Sequence, residues 1–199
     1  MISRLSGTLV ERRPPNLVID VHGVGYELEA PLSVFDGLPE TGASCTVLVH
    51  QVVREDAHLL FGFSRSSDRA LFRTMLKISG VGPRLALGIL SSVSAEEFAL
   101  MVESGDSQAL TRLPGIGKKT AERLILEMKS RIGDLGISDG ATASGAAGSA
   151  RDPASEARAG LMALGYAPAE ALKMIKAQAD QGASAEAMIR QALRNRMNR

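Results

Sequence analysis

The stretch ISGVGPRLALGIL, from Ile78 to Leu90, returns thirty-five positions later as LPGIGKKTAERLI, from Leu113 to Ile125. Gly80 falls on Gly115, Gly82 on Gly117 and Ala86 on Ala121. Apolar residues at helical spacing flank the copies: Ala70, Leu71, Met75 and Ile78 on one side, Leu124, Ile125 and Met128 on the other. Each copy therefore reads as helix, tight turn, helix, and residues 65–132 as an all-helical block with short connections. Two glycines let the turn adopt positive φ and let a ligand approach bare N–H groups. The amides that follow open a helix, where orphan donors and the dipole together favour an anion. Pro83 suits the first position of the second helix in copy one. Gly80, Val81, Gly82, Pro83 and Arg84 in one copy, and Gly115, Ile116, Gly117, Lys118 and Lys119 in the other, make two candidate phosphate sites.

Three other uses of the motif compete with this one. GIGKKT invites comparison with a nucleotide loop, but that loop needs a preceding strand and a terminal Gly-Lys-Ser/Thr. Here a helix precedes, and Lys118 separates Gly117 from Lys119. The glycines could serve packing alone, a reading weakened by the duplication and by the basic residues Arg84, Lys118, Lys119 and Arg123. A glycosylase or nuclease can also carry such hairpins, and would need a catalytic carboxylate or lysine just beyond one, or a metal cluster. Lys119 and Arg123 stand four apart on one helical face, so both can straddle a sugar–phosphate chain. Grip on successive phosphates, with no side chain aimed at base edges, predicts structure-selective DNA binding.

The remainder of the chain divides by periodicity. Residues 1–64 alternate apolar and polar in five short runs separated by turn signals, which predicts a small closed β-barrel. Residues 133–153 are rich in Gly, Ala and Ser and poor in large apolar side chains, as in a flexible linker. Residues 154–199 carry three amphipathic helical stretches, Ala154–Leu164, Pro168–Ala179 and Ser184–Met197, a miniature bundle suited to binding another protein. A scaffold whose last domain binds partners and whose hairpins are incidental is thus a further possibility.

Charge separates the first two segments more sharply than the net +1 of all 199 residues. Residues 65–131 hold eleven basic and seven acidic side chains, whereas residues 1–64 hold four basic and eight acidic ones. Glu55 and Asp56 lie at the tip between TVLVHQVV and AHLLFGF, where they are also ordinary turn residues. Cys45 is the one cysteine, which excludes an internal disulfide framework and suits a reducing compartment. His22, His50 and His58 lack partners at metal-ligand spacing, so no metal and no cofactor is expected. The charged N-terminus lacks the apolar run of a signal peptide, and no stretch reaches the ~18 apolar residues of a membrane span. A cytoplasmic location is expected.

The order of these parts, with VVREDAHLLFGF, SGVGPRLALGIL, LPGIGKKTAERLILEM and ALGYAPAEA, resembles the RuvA family, the DNA-binding subunits of the bacterial Holliday-junction branch-migration machine. The resemblance covers the whole chain except residues 133–153. It implies an oligonucleotide-binding (OB-type) five-stranded barrel, a tandem helix-hairpin-helix domain and a mobile three-helix, UBA-like domain. It further implies a non-catalytic homotetramer, or an octamer on DNA, that holds a four-way junction open and square-planar. The implied partners are the hexameric RuvB ATPase and the RuvC resolvase, in recombination, repair and the SOS response to DNA damage. By the same resemblance Glu55 and Asp56 would form acidic pins at the crossover, flanked by Arg54. Leu161, Leu164, Tyr166, Ile189 and Leu193 would then include both core and motor-facing positions of the last domain.

Overall fold

The computed structural model describes residues 1–135, 153–176 and 184–197. Strand alternation closes the first part into a barrel. β1 (Arg4–Arg13), β2 (Asn16–Val21), β3 (Val24–Glu29), β4 (Ser44–Val53) and β5 (His58–Phe63) are joined in the order β1-β2-β3-β5-β4. Leu5 and Leu9, Leu17 and Ile19, and Val47 and Val49 are buried on the inward face of their strands, as a half-solvated strand requires. All pairings are antiparallel except β3 with β5, joined at Glu29 and Phe61, and closure removes the open edges a sheet would otherwise expose. A Cβ at Gly7 would stand 2.0 Å from the Asp20 carbonyl oxygen, so only glycine lets β1 cross β2 that closely. A five-residue helix not expected from the sequence, α1 (Leu32–Asp36), follows Pro31 and buries Val34 and Phe35 in the barrel core. One turn and a half is too short for its apolar pair to reveal a helical period.

The helical block contains α2 (Ser66–Met75), α3 (Pro83–Ser92), α4 (Ala95–Ser104), α5 (Ser107–Thr111) and α6 (Lys118–Leu135). Its core extends into the barrel wall. Phe72 of α2 meets Phe61 and Phe63 of β5 with ring centroids 5.1 and 5.0 Å apart. The Ser91 hydroxyl accepts from the Leu32 amide at 3.0 Å, and Arg69 donates to the Ser3 carbonyl at 2.7 Å. Barrel and hairpins thus share one compact unit, and the barrel tip is carried on the same body as the turns. His50 of β4 lies at this joint, its ring edge-on to Phe72 at 5.8 Å.

The last unit is a separate three-helix cluster of α7 (Pro153–Ala163), α8 (Pro168–Lys176) and α9 (Ala185–Met197). Gly165, at φ +96°, ends α7, and the Tyr166 amide turns back to the Leu161 carbonyl at 3.2 Å. Ser184 caps α9 by accepting from the Ala187 amide at 3.3 Å. A Cβ at Gly160 would stand 2.6 Å from Ile189 Cδ1, so the small residue lets α9 approach α7 closely.

The helices run past the expected linker bounds on both sides. α6 continues to Leu135, beyond Ile132, and α7 begins at Pro153, a residue whose fixed φ and missing N–H fit a first helical turn. The interior of the expected linker, 136–152, lies outside the described residues, as does 177–183, which includes the expected end of α8.

Candidate nucleic-acid interface

The two hairpins repeat in hydrogen bonding as they do in sequence. In the first, the Ile78 amide donates to Met75, Val81 to Ile78 and Ala86 to Gly82, at 3.0, 3.1 and 3.0 Å. In the second, Leu113 donates to Leu110, Ile116 to Leu113 and Ala121 to Gly117, at 3.1, 3.2 and 2.9 Å. Gly80 and Gly115 take the same left-handed conformation, φ +86° and +80°. Val81 and Ile116, both named from the sequence as binding residues, bury their side chains in the core and can offer a ligand only main-chain groups. Ala86 and Ala121 have no exposed surface, so each second helix packs closely beneath its turn.

The starts of α4 and α5 are capped by side chains, whereas that of α2 is not. Ser94 and Glu97 form a reciprocal capping box on α4, and these hydrogen bonds hold the Glu97 carboxyl below its ordinary pKa. Asp106 accepts from the Ala109 amide at the start of α5. The start of α3 has no side-chain cap: Gly82 stands at the cap position in extended conformation, and the amides that follow have no side chain of their own to bond. An uncapped helix end with exposed Arg84 beside it can receive an oxyanion.

Gly82, Gly117, Arg84, Lys118, Lys119 and Arg123 are exposed, and Pro83 is half-buried. Lys77 and Arg112 are both exposed; they precede the buried Ile78 and Leu113 by one residue and stand thirty-five apart, in phase with the repeat. The thirty-five-residue phase of the repeat is the signal that marks them, although they precede the turns rather than follow them. Arg123 does not behave as a free surface cation: its Nη1 donates to the Ser79 carbonyl of the first hairpin at 2.9 Å.

The barrel tip is of another kind. The Arg54 amide donates to the Ala57 carbonyl at 2.8 Å, leaving Glu55 and Asp56 as a two-residue loop. Arg54, Glu55 and Asp56 are all exposed. In the last unit Leu161 has no exposed surface, and Ile189, Leu193 and Tyr166 pack partly buried against the same core. Tyr166 also lies under Arg196, whose guanidinium is 5.2 Å from the ring centroid and pairs with Glu170. Leu164 is 60% exposed and Leu172, which the apolar pattern did not single out, 40%. No group of three His, Cys, Asp or Glu side chains able to hold a metal ion occurs among the described residues. No single described helix is long and apolar enough to cross a membrane.

Comparison with known proteins adds a separate line of observation. Residues 1–62 match the RuvA N terminal domain, 72–130 the SAM-like helix-hairpin-helix tandem, and 152–196 the RuvA C-terminal domain. The chain is 51% identical to a Holliday junction branch migration complex subunit RuvA of Methylococcus capsulatus, with 98% of each chain covered. It is 50% identical to that of Thioalkalivibrio sulfidiphilus, again over 98% of each, and 48% identical to that of Halorhodospira halophila over 100% of this chain and 99% of the relative. The chain belongs to the RuvA family. The closed five-stranded barrel, the tandem hairpins and the C-terminal helices are the RuvA domain layout, and the three matched segments follow the divisions of the fold. The hairpin turns bring exposed glycine backbone and exposed basic side chains together.

Proposed function

We propose that this chain binds four-way DNA junctions by structure rather than sequence and recruits an ATP-driven motor to move them. The observation that carries the reading is the pair of matching hairpins, each with a left-handed glycine and an exposed second glycine, followed at the helix start by Arg84 in one and by Lys118 and Lys119 in the other. Such turns hold phosphates of either strand without touching base edges. The relatives named as branch-migration subunits support junction DNA as the substrate. In the proposed arrangement four copies each grip one pair of arms, and their Glu55–Asp56 tips meet the crossover, where carboxylates repel phosphates and keep the junction open and planar.

Repulsion guides but does not drive. Two unit charges ~5 Å apart interact by roughly 1 kcal/mol in water and about 3 at an effective dielectric of 20. A DNA stacking step is worth about 1.4 kcal/mol on average. The tips could steer a pair or two apart, and sustained movement falls to ATP hydrolysis by a RuvB-type partner. The reading assigns no catalytic residue to this chain. The C-terminal unit, with Leu164 and Leu172 exposed, is the proposed motor-binding part, and a RuvC-type resolvase a further partner.

The test is a titration of the purified chain against a synthetic four-way junction and a linear duplex of the same arm sequence, at two salt concentrations, without metal or ATP. Junction preference with a steep salt dependence is expected. Equal binding to both would reduce the chain to a generic hairpin DNA binder, and a cleaved or base-free product would move it to the nucleases or glycosylases. Removing residues 153–199 should leave junction binding within about two-fold and abolish stimulation of the motor's ATPase; unchanged stimulation would overturn the assignment of the C-terminal unit.

A further inference from the structure

The hairpins are alike in backbone but unequal in charge. At the position where the second carries Lys118, the first carries Pro83, which supplies neither a cation nor an N–H. Counted by phase, the second turn has Arg112, Lys118 and Lys119, and the first has only Lys77 and Arg84. Two sites that hold equivalent phosphates on such different terms would grip the two strands of an arm unevenly.

The second helix of each hairpin crosses to the other's turn. From α3, Leu85 reaches the second turn, where a Cβ on Gly115 would stand 3.1 Å from its Cδ1. From α6, Arg123 reaches the first, with Nη1 2.9 Å from the Ser79 carbonyl oxygen and 3.7 Å from where a Gly80 Cβ would be. The position in α3 equivalent to Arg123 is Gly88, so the loan runs one way. One N–H of five on the guanidinium is committed to Ser79, and the side chain remains exposed. The remaining donors can meet an anion approaching the uncapped start of α3.

We infer that Arg123, although it belongs to the second hairpin by sequence, serves the phosphate site of the first, supplying the cation that Pro83 removes. Its bond to Ser79 orients the guanidinium against the turn, and each site then commands three basic side chains. The inference rests on the DNA-binding reading above and differs from the expectation that Lys119 and Arg123 straddle a single strand.

The experiment uses the full chain, the four-way junction and the duplex, with Arg123→Gln, Arg123→Lys, Arg84→Ala, Lys118→Ala, and Arg123→Gln combined with each of the last two. Parent binding tests the function itself; a parent that binds neither DNA overturns both readings, whereas the variants are read on whichever DNA the parent holds. Arg123→Gln is expected to weaken binding about ten-fold or more and to flatten the dependence of log K on log salt by about 0.9 for each phosphate no longer neutralised. Combined with Lys118→Ala its effect should multiply within about two-fold, as independent sites do, and combined with Arg84→Ala it should depart from the product by more than that. Arg123→Lys keeps the charge on a flexible stem and should restore most of the salt slope, which a residue needed only for its bond to Ser79 would not do. Coupling to Lys118 instead of Arg84, an unchanged slope in Arg123→Gln, or no recovery in Arg123→Lys would each overturn the assignment.

Discussion

The barrel tip and the hairpin turns are both tight, exposed and built on one compact unit, yet they present opposite faces to a polyanion. Between two strands, the turn at Glu55 and Asp56 closes its own backbone through the Arg54 to Ala57 bond, and only the carboxylates are left to act. Between two helices, the turns at Gly80 and Gly115 lead into helix starts whose amides outnumber their acceptors, and α3 has no side-chain cap. The element downstream of a turn therefore decides its charge as much as the turn's own residues do. By charge and dipole alone, the same tight reversal disfavours phosphate at the end of a ribbon and favours it at the start of a helix.

The largest expected effect removes the attractive half of this contrast. Lys118→Ala with Lys119→Ala takes two charge-assisted contacts from the second hairpin, each worth about 1.5–3 kcal/mol where formed. Junction affinity should fall by at least about 100-fold, with the melting temperature and the oligomeric state unchanged. Retained binding in a gel-shift titration would return the hairpins to a purely structural role, and loss of DNA binding with assembly intact would dispose of the scaffold reading.

Next comes the backbone. Gly80→Ala and Gly115→Ala force a Cβ into left-handed conformation, at a cost of about 1–2 kcal/mol. Gly115→Ala should be the worse of the two, because its Cβ would also press Leu85 at 3.1 Å while that of Gly80 finds ordinary contact. Thermal unfolding should rank parent above Gly80→Ala above Gly115→Ala. The reverse order would mean that the turns are less alike than their hydrogen bonds.

The repulsive half is smaller and of opposite sign. Glu55→Gln with Asp56→Asn keeps the shape of the tip and removes its charge, so duplex binding should strengthen several-fold, consistent with roughly 1 kcal/mol per exposed pair. Junction binding should change less, and the ratio between the two substrates should narrow. A ratio unchanged at low salt would leave Glu55 and Asp56 as ordinary turn residues.

The hairpins and the barrel were legible because their signals are local: a glycine pattern repeated in phase, and apolar alternation along each strand. Other features depend on residues that meet only after folding. The bond from Arg123 to Ser79 joins positions forty-four apart, so helical spacing placed Arg123 beside Lys119 and could not show the turn it reaches across to. Val81 and Ile116 read from the sequence as parts of the two phosphate sites, and folding adds that their side chains complete the core, leaving only main-chain groups to a ligand. In the C-terminal unit the apolar pattern located a bundle but did not separate Leu161, which is wholly buried, from Leu164, which is not.

His50 was likewise an isolated histidine in the sequence, and folding places it between the two halves of the comparison, at the joint that carries the barrel tip on the hairpin body. Its Nδ1 is buried without a hydrogen-bond partner, its ring meets Phe72, and burial first, then Arg73 and Arg69, lower its pKa below the ordinary value. The unfolded chain, titrating near 6.5, therefore binds a proton that the folded chain still refuses. In the window below that value and above the folded one, stability rises with pH and is lost as pH falls. The effect is the smallest of the four, since the ring is only partly withdrawn from water. His50→Gln cannot take up this proton, so its melting temperature should fall less than the parent's between pH ~7.5 and ~5. Comparing the two chains at each pH cancels the contributions of Asp68, raised by burial, and of Glu97, because both chains share them. Parallel curves would mean that the joint tolerates a charged ring, and that the phenylalanine contacts and the hydrogen bonds of Ser91 and Arg69 hold it regardless of the charge on His50.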